Sequence, residues 1–173
     1  MSVLTSHDAD LVLSRVTLGY DFHEDRISLS GEAVENLNVS LWFTKRMMDG
    51  LIRHLSHVLS ESRHMGDGQQ SLQHGTATSE RQTVDEPVVC SSNSGGYLVR
   101  EVDVSQQATQ ISLRFRGELE SDRAIFQLSV AQLPQWLGAT KHCYELAGWH
   151  NQHLTNTFSG PSTFLPLQSE TTH

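Results

Sequence analysis

The residues best suited to chemistry in this chain are its ten histidines and its two cysteines, Cys90 and Cys143. Imidazole nitrogen and thiolate sulfur are ligands for Zn²⁺, and a spacing of three or four places two side chains on one helix face. His54 and His57 have that spacing inside a helical pattern, and His150 and His153 have it just past another. His57 falls opposite the apolar stripe of its helix, beside Arg46, Arg53 and Asp49. Two guanidinium charges there disfavour a divalent ion. The better constellation is His142, Cys143, His150 and His153, a nitrogen and sulfur set for a zinc-type ion. Against it, His142 and Cys143 point to different sides of their helix, and Gly148 interrupts that helix before His150. Cys143 is therefore expected as a small core residue and the histidines as solvated groups, with metal binding kept as an alternative.

Other chemistries find less support. Cys143 with a nearby histidine lacks any local signature of a cysteine nucleophile. The chain has no G-x-S-x-G elbow, P-loop, G-x-G-x-x-G or H-E-x-x-H motif. No two carboxylates share an apolar face where burial would raise a pKa. The acidic runs at His7-Asp8-Ala9-Asp10 and His23-Glu24-Asp25 read as a chain terminus and a hairpin turn. The reading favours a non-enzymatic role and names no cofactor. Of the three tryptophans, Trp136 and Trp149 fall on or beside a core stripe. Trp42 instead shares a strand face with Asn38 and Ser40, while Leu41 and Phe43 face the other way. Arg114 and Arg116 hold the corresponding face of a later strand. Trp42, Arg114 and Arg116 form the candidate interface, an aromatic anchor with two planar guanidinium groups.

The elements that carry these residues fall into two similar runs. From 11 to 63, Leu18, Tyr20 and Phe22 alternate, then Ile27, Leu29 and Gly31, then Leu37, Val39, Leu41 and Phe43, the period of half-buried strands. At Thr44 the period changes, and Met47, Met48, Leu51, Ile52, Leu55, Val58 and Leu59 make a helical stripe capped by Thr44. From 97 to 149 the order repeats: Val102 and Val104, then Ile111, Leu113 and Phe115, then Phe126, Leu128 and Val130. A second stripe follows at Leu133, Trp136, Leu137, Thr140, Tyr144 and Ala147, closed by Gly148. Ile27-Ser28-Leu29 answers Ile111-Ser112-Leu113, Gly31-Glu32 answers Gly117-Glu118, and Leu41 to Phe43 answers Leu128 to Val130. The fold class read from this is two-layer α+β: duplicated β-β-β-α units related by a pseudo-twofold, antiparallel sheets with helices on one face. One unit of about 50 residues is marginal alone, so the copies should join through sheet edges or through helices.

Residues 64–96 read as flexible linker, rich in Gly, Ser, Gln and Thr, with Val88-Val89 as a possible short strand. Residues 150–173 read as a polar C-terminal tail with a late apolar cluster at Phe158, Phe164, Leu165 and Leu167. Twelve basic against twenty acidic residues give a formal charge of −8. That charge repels phosphate backbones and disfavours nucleic acid as a partner. Residues 1–8 lack the basic and apolar segments of a signal peptide, no apolar run reaches membrane-span length, and two cysteines fit a reducing compartment. A cytoplasmic protein without a membrane partner is expected. The function expected is a protein-binding or assembly module acting through the open sheet face on a protein partner or another copy. The alternatives are the zinc-type site and a small-ligand site between the copies.

Overall fold

The structure is a computed structural model that describes residues 10–33, 37–66, 86–90 and 94–159. Three strands come first: β1 (Leu11–Asp21), β2 (Arg26–Ala33) and β3 (Asn38–Phe43), followed by helix α1 (Lys45–Gly66). Four strands follow, β4 (Gly95–Leu98), β5 (Glu101–Gln107), β6 (Gln110–Arg116) and β7 (Arg123–Ser129), then α2 (Leu133–Ala147) and α3 (Gln152–Phe158). This is an α+β architecture with one mixed sheet of seven strands, in the order β4-β3-β2-β1-β7-β6-β5. No helix among the described residues is long and apolar enough to cross a membrane.

The sheet is mixed where all-antiparallel pairing was expected. β1 runs parallel to β7 and β3 parallel to β4, while the β1–β2, β2–β3, β5–β6 and β6–β7 pairs are antiparallel. β4 and β5 sit at opposite ends of the strand order yet are separated in sequence only by Val99 and Arg100. The Val99 amide donates to Trp42 O at 2.9 Å and the Arg100 amide to Arg116 O at 2.8 Å. This dipeptide therefore ties β3 to β6, and the sheet curls until its two ends meet. Closure satisfies edge groups that an open sheet would leave bare. Phe43 and Phe115, on strands distant in the ladder, touch edge to face across the concave side with centroids 5.4 Å apart.

Alternation does what the sequence predicts on that concave side. Ile27, Leu29, Leu41, Ile111, Leu113 and Phe115 are all fully buried. They form one core with the apolar stripes of α1 and α2. Aligning the two hairpin ladders by their pairing places Ile27 and Leu29 on Ile111 and Leu113, and Leu41 and Phe43 on Phe126 and Leu128. The sequence match of Leu41–Phe43 to Leu128–Val130 is thus two residues out, because β7 ends at Ser129 and Val130 begins a 3₁₀ turn. Likewise Gly31 falls on Phe115 in this alignment, and not on Gly117.

The helices keep one offset throughout. The buried residues of α1 are Met48, Leu51, Ile52, Leu55, Val58 and Leu59, and those of α2 are Leu133, Trp136, Leu137, Thr140, Cys143 and Tyr144. Each of the six pairs is separated by the same 85 positions, from 48 and 133 to 59 and 144. The chain enters the two helices through different bonds. Thr44 Oγ1 accepts from the Met47 amide at 3.3 Å, and the Ser129 amide donates to Gln132 Oε1 at 2.8 Å. Gly148 closes α2 with φ 66°, a left-handed conformation that glycine adopts without a Cβ penalty.

Several boundaries differ from the sequence reading. Phe22 lies beyond β1 and is 69% exposed, and Leu37 precedes β3 and is exposed. The expected turn at 34–36 lies outside the described residues. The span read as linker includes the last turn of α1, the segment Glu86–Cys90 and the start of β4. Val88 is buried there, and its amide donates to Thr17 Oγ1 at 2.9 Å. The span read as tail includes α3, whose cap Asn151 accepts through Oδ1 from the His153 and Leu154 amides. Its apolar cluster beyond 159 lies outside the described residues.

Candidate functional site

The structure does not gather the four candidate metal ligands. Cys143 is buried on the core side of α2, whereas His142, His150 and His153 are exposed. Burial pushes the Cys143 thiol up to about 11, so it stays protonated and is a poor ligand and nucleophile at neutral pH. Among the described residues, no group of three or more His, Cys, Asp or Glu side chains is placed to hold an ion. His153 instead lines a groove between α1 and α3 with His57, His64, Arg53 and Arg63. His57 Nδ1 lies 3.3 Å from Glu61.

The candidate interface residues lie on the convex face and are partly engaged. The half-buried Trp42 ring covers Gly96 of the neighbouring strand so closely that a Cβ there would lie 2.6 Å from the ring. Arg114 Nε pairs with Asp10 at 2.9 Å. Arg116 bridges Glu101 at 3.2 Å and Asp103 at 2.8 Å across the β5–β6 ladder. The Val99–Arg100 closure brings Trp42 and Arg116 to the same junction, since each supplies a carbonyl to it. Arg114 lies two residues further along β6 and points toward the β1 end through Asp10.

Two concave grooves lie between a helix and a strand of the sheet. The first opens because β1 and β7 pair only over Leu11–Leu13 and then diverge. Its volume is about 530 Å³, and Gln132 of the 3₁₀ turn with Gln135, Trp136 and Ala139 of α2 line it, facing Val16 and Leu18 of β1. Glu86 and Val88 form part of its wall. The buried Trp136 Nε1 has no hydrogen-bond partner among the described residues, and a buried donor is costly until an acceptor meets it. The second groove, about 510 Å³, lies between α1 and β5, lined by Arg46, Met47, Gly50, Leu51, His54, Val102 and Val104. Four lining positions correspond under the 85-residue offset: Met47 and Gln132, Gly50 and Gln135, Leu51 and Trp136, His54 and Ala139; Arg46 has no counterpart in the first groove. The strand residues correspond through the hairpin ladders, Val16 with Val102 and Leu18 with Val104.

No family model, curated protein or solved structure matches this chain.

Between the helices sits a polar junction that sequence reasoning missed. Asp49 Oδ1 accepts from Tyr144 Oη at 2.9 Å and from Asn151 Nδ2 at 2.7 Å, and Oδ2 accepts from Lys45 Nζ at 2.7 Å. Burial alone would raise this carboxyl, but the hydrogen bonds from Lys45, Asn151 and Tyr144 outweigh it and hold the group below its ordinary value. Burial and the facing Asp49 carboxylate push the Tyr144 phenol far up, so it stays a donor. Lys45 also sits 5.7 Å from the Tyr144 ring centroid. Tyr144, Trp149, Tyr20 and Phe22 continue as a chain of edge-to-face rings, with successive centroids 5.4, 5.6 and 4.8 Å apart. All of Asp49's side-chain hydrogen-bonding partners are protein groups already satisfied by it, so the junction reads as a clamp between elements.

Proposed function

We propose that this chain is a non-enzymatic binding module, built from two copies of one β-β-β-α unit, that holds an extended polypeptide segment in the grooves where the copies meet. The observation that carries the reading is the correspondence of six lining positions between the two grooves, with a segment of the chain already walling the first. The duplication draws its support from the common helix offset and matching ladders, and from equivalent junctions: the third strand of each unit runs parallel to the leading strand of the other. β4 and β5 together take the place of β1 in the second unit. The pseudo-twofold then runs along the axis of the curled sheet, and each helix lies over the other unit's first strand. Such grooves suit extended chains, because their apolar walls take alternate side chains while the rim carries hydrogen-bonding groups. The convex-face residues Trp42, Arg114 and Arg116 are proposed as a second contact surface for a protein partner or another copy.

Selection of displayed peptides on the immobilised chain tests the reading. Proline-aliphatic extended peptides should be enriched, and Gly50→Trp should weaken the selected peptide at least tenfold while the melt stays unchanged. A Cβ at Gly50 meets open space, so the larger side chain fills the groove without disturbing the core. Absence of enrichment, or equal binding to the variant, would count against it. A second reading, a small ligand in the first groove, is favoured by the unpartnered Trp136 Nε1. A ligand carrying a hydrogen-bond acceptor should then bind wild type and lose affinity to Trp136→Phe; equal affinity removes it.

A further inference from the structure

The corresponding grooves have different linings. The first has Glu86 and Val88 in its wall, from the segment that follows α1. The second has no such segment among its described lining residues. Under the duplication, the chain that follows α2 stands to the second groove as the chain that follows α1 stands to the first. After α2 and α3 the sequence carries Leu165-Pro166-Leu167, as the walling segment carries Glu86-Pro87-Val88, a proline followed by an aliphatic residue in each.

We propose that the segment containing Phe164-Leu165-Pro166-Leu167 occupies the second groove of its own chain and competes there with outside segments. This deepens the binding-module reading and rests on it. The walls suit the segment: Met47, Leu51, Val102 and Val104 are apolar, and Gly50 leaves room for close backbone approach. Proline pre-sets an extended backbone, which lowers the ordering cost of docking. Reach is sufficient. α3 lies on the flank of α1 that carries Asp49 and Ser56, where Thr157 Oγ1 contacts Ser56 Oγ at 3.3 Å. Gly50 and His54 are on the other flank. The stretch from Ser159 to Leu165 spans about 20 Å when extended, and a helix with its side chains is about 10 Å across.

Photo-crosslinking in the full chain tests this. A benzoylphenylalanine replacing His54 should crosslink to residues 160–173 of the same molecule. The same probe replacing Ala139, the corresponding position of the first groove, should crosslink to residues 86–90. The double variant Leu165→Asp, Leu167→Asp should cut the first crosslink at least fivefold and leave the second unchanged. It should also bind the library-selected peptide at least fivefold more tightly than wild type. If the probe at His54 misses 160–173, or mixed light and heavy protein shows the link between molecules, the proposal is overturned. Failure of the Ala139 link removes its template and overturns it as well. If the peptide binds wild type and the double variant equally, the occupant is refuted and the groove reading stands; if the peptide binds neither, both fall.

Discussion

Replacing Asp49 by alanine should destabilise the protein more than any other change at a partly exposed position of α1. The side chain is 30% exposed, yet it is the acceptor through which α1 holds Tyr144 of α2 and Asn151 at the cap of α3. A hydrogen bond to a charged group contributes about 1.5–3 kcal/mol. Water can reach part of the junction and repair part of the loss, and the Lys45 pair adds little at its exposure. Asp49→Ala should therefore cost about 2–3 kcal/mol, which lowers the melting temperature of a chain this size by about 5–10 °C. Thermal melts followed by circular dichroism measure it. Asp49→Asn keeps one acceptor and should lose about half as much. The double variant with Tyr144→Phe should lose less than the sum, because both changes remove one bond. The pH dependence has a definite sign. The carboxyl is held below its ordinary value when folded, so its contribution is complete above the unfolded carboxylate pKa of about 3.9 and is lost as the pH falls through the lower folded value. Wild type should lose its advantage over Asp49→Asn across that acidic window. An alanine variant that melts within about 1 °C of wild type, or additive losses with Tyr144→Phe, would refute the clamp.

Other outcomes follow from burial and close approach. Leu29→Ala and Leu113→Ala remove fully buried residues at corresponding ladder positions and should cost similar amounts, about 2–5 kcal/mol each; denaturant titrations that differ by more than about 2 kcal/mol would argue against equivalent environments. Gly96→Ala would set its Cβ 2.7 Å from Ser40 O and 2.6 Å from the Trp42 ring, a backbone clash that should cost about 1–3 kcal/mol. Pairing it with Trp42→Ala should recover only part of that loss in the same melts, because the carbonyl remains. Cys90 is partly exposed and Cys143 buried with its thiol raised to about 11. Iodoacetamide at pH 8 should therefore label Cys90 first and Cys143 only on unfolding, as read by peptide mass spectrometry.

The strands and two long helices were legible because each carries a period that burial enforces. Ile27, Leu29, Leu41 and Phe43 alternate into the core as their spacing implies, and the α1 stripe needs no tertiary information. What escaped the sequence depends on distant partners. β4 is Gly95-Gly96-Tyr97-Leu98, too short and glycine-rich to show a strand period, and it exists because β3 supplies a parallel edge. α3 buries only Leu154, so it has no stripe; the signal available was Asn151, a cap that accepts from the two amides following in the helix. Asp49 sat on a polar helix face by the wheel, and its partners Tyr144 and Asn151 lie 95 and 102 residues away. Local patterns carry no trace of such pairings.

Ladder register and helix offset show a correspondence that shifts along the chain, 86 positions from Val16 to Val102, 84 from Ile27 to Ile111 and 85 from Met48 to Leu133. The first hairpin turns over four residues between Asp21 and Arg26, the second over two between Gln107 and Gln110. The correspondence therefore holds piecewise, in ladders and helices, and shifts at turns. Selection by burial acts on the inside of each unit, where Met48 and Leu133 or Leu59 and Tyr144 meet corresponding surroundings. It leaves the outside free to diverge: Asp49 of the clamp corresponds to Pro134, and open Gly50 to Gln135. The matching positions are those where α2 lies against β1 and where α1 lines a groove with β5. The divergent parts give two grooves of one geometry different linings. Among the described residues, Glu86 and Val88 wall the first groove, while Arg46 and His54 give the second a basic rim.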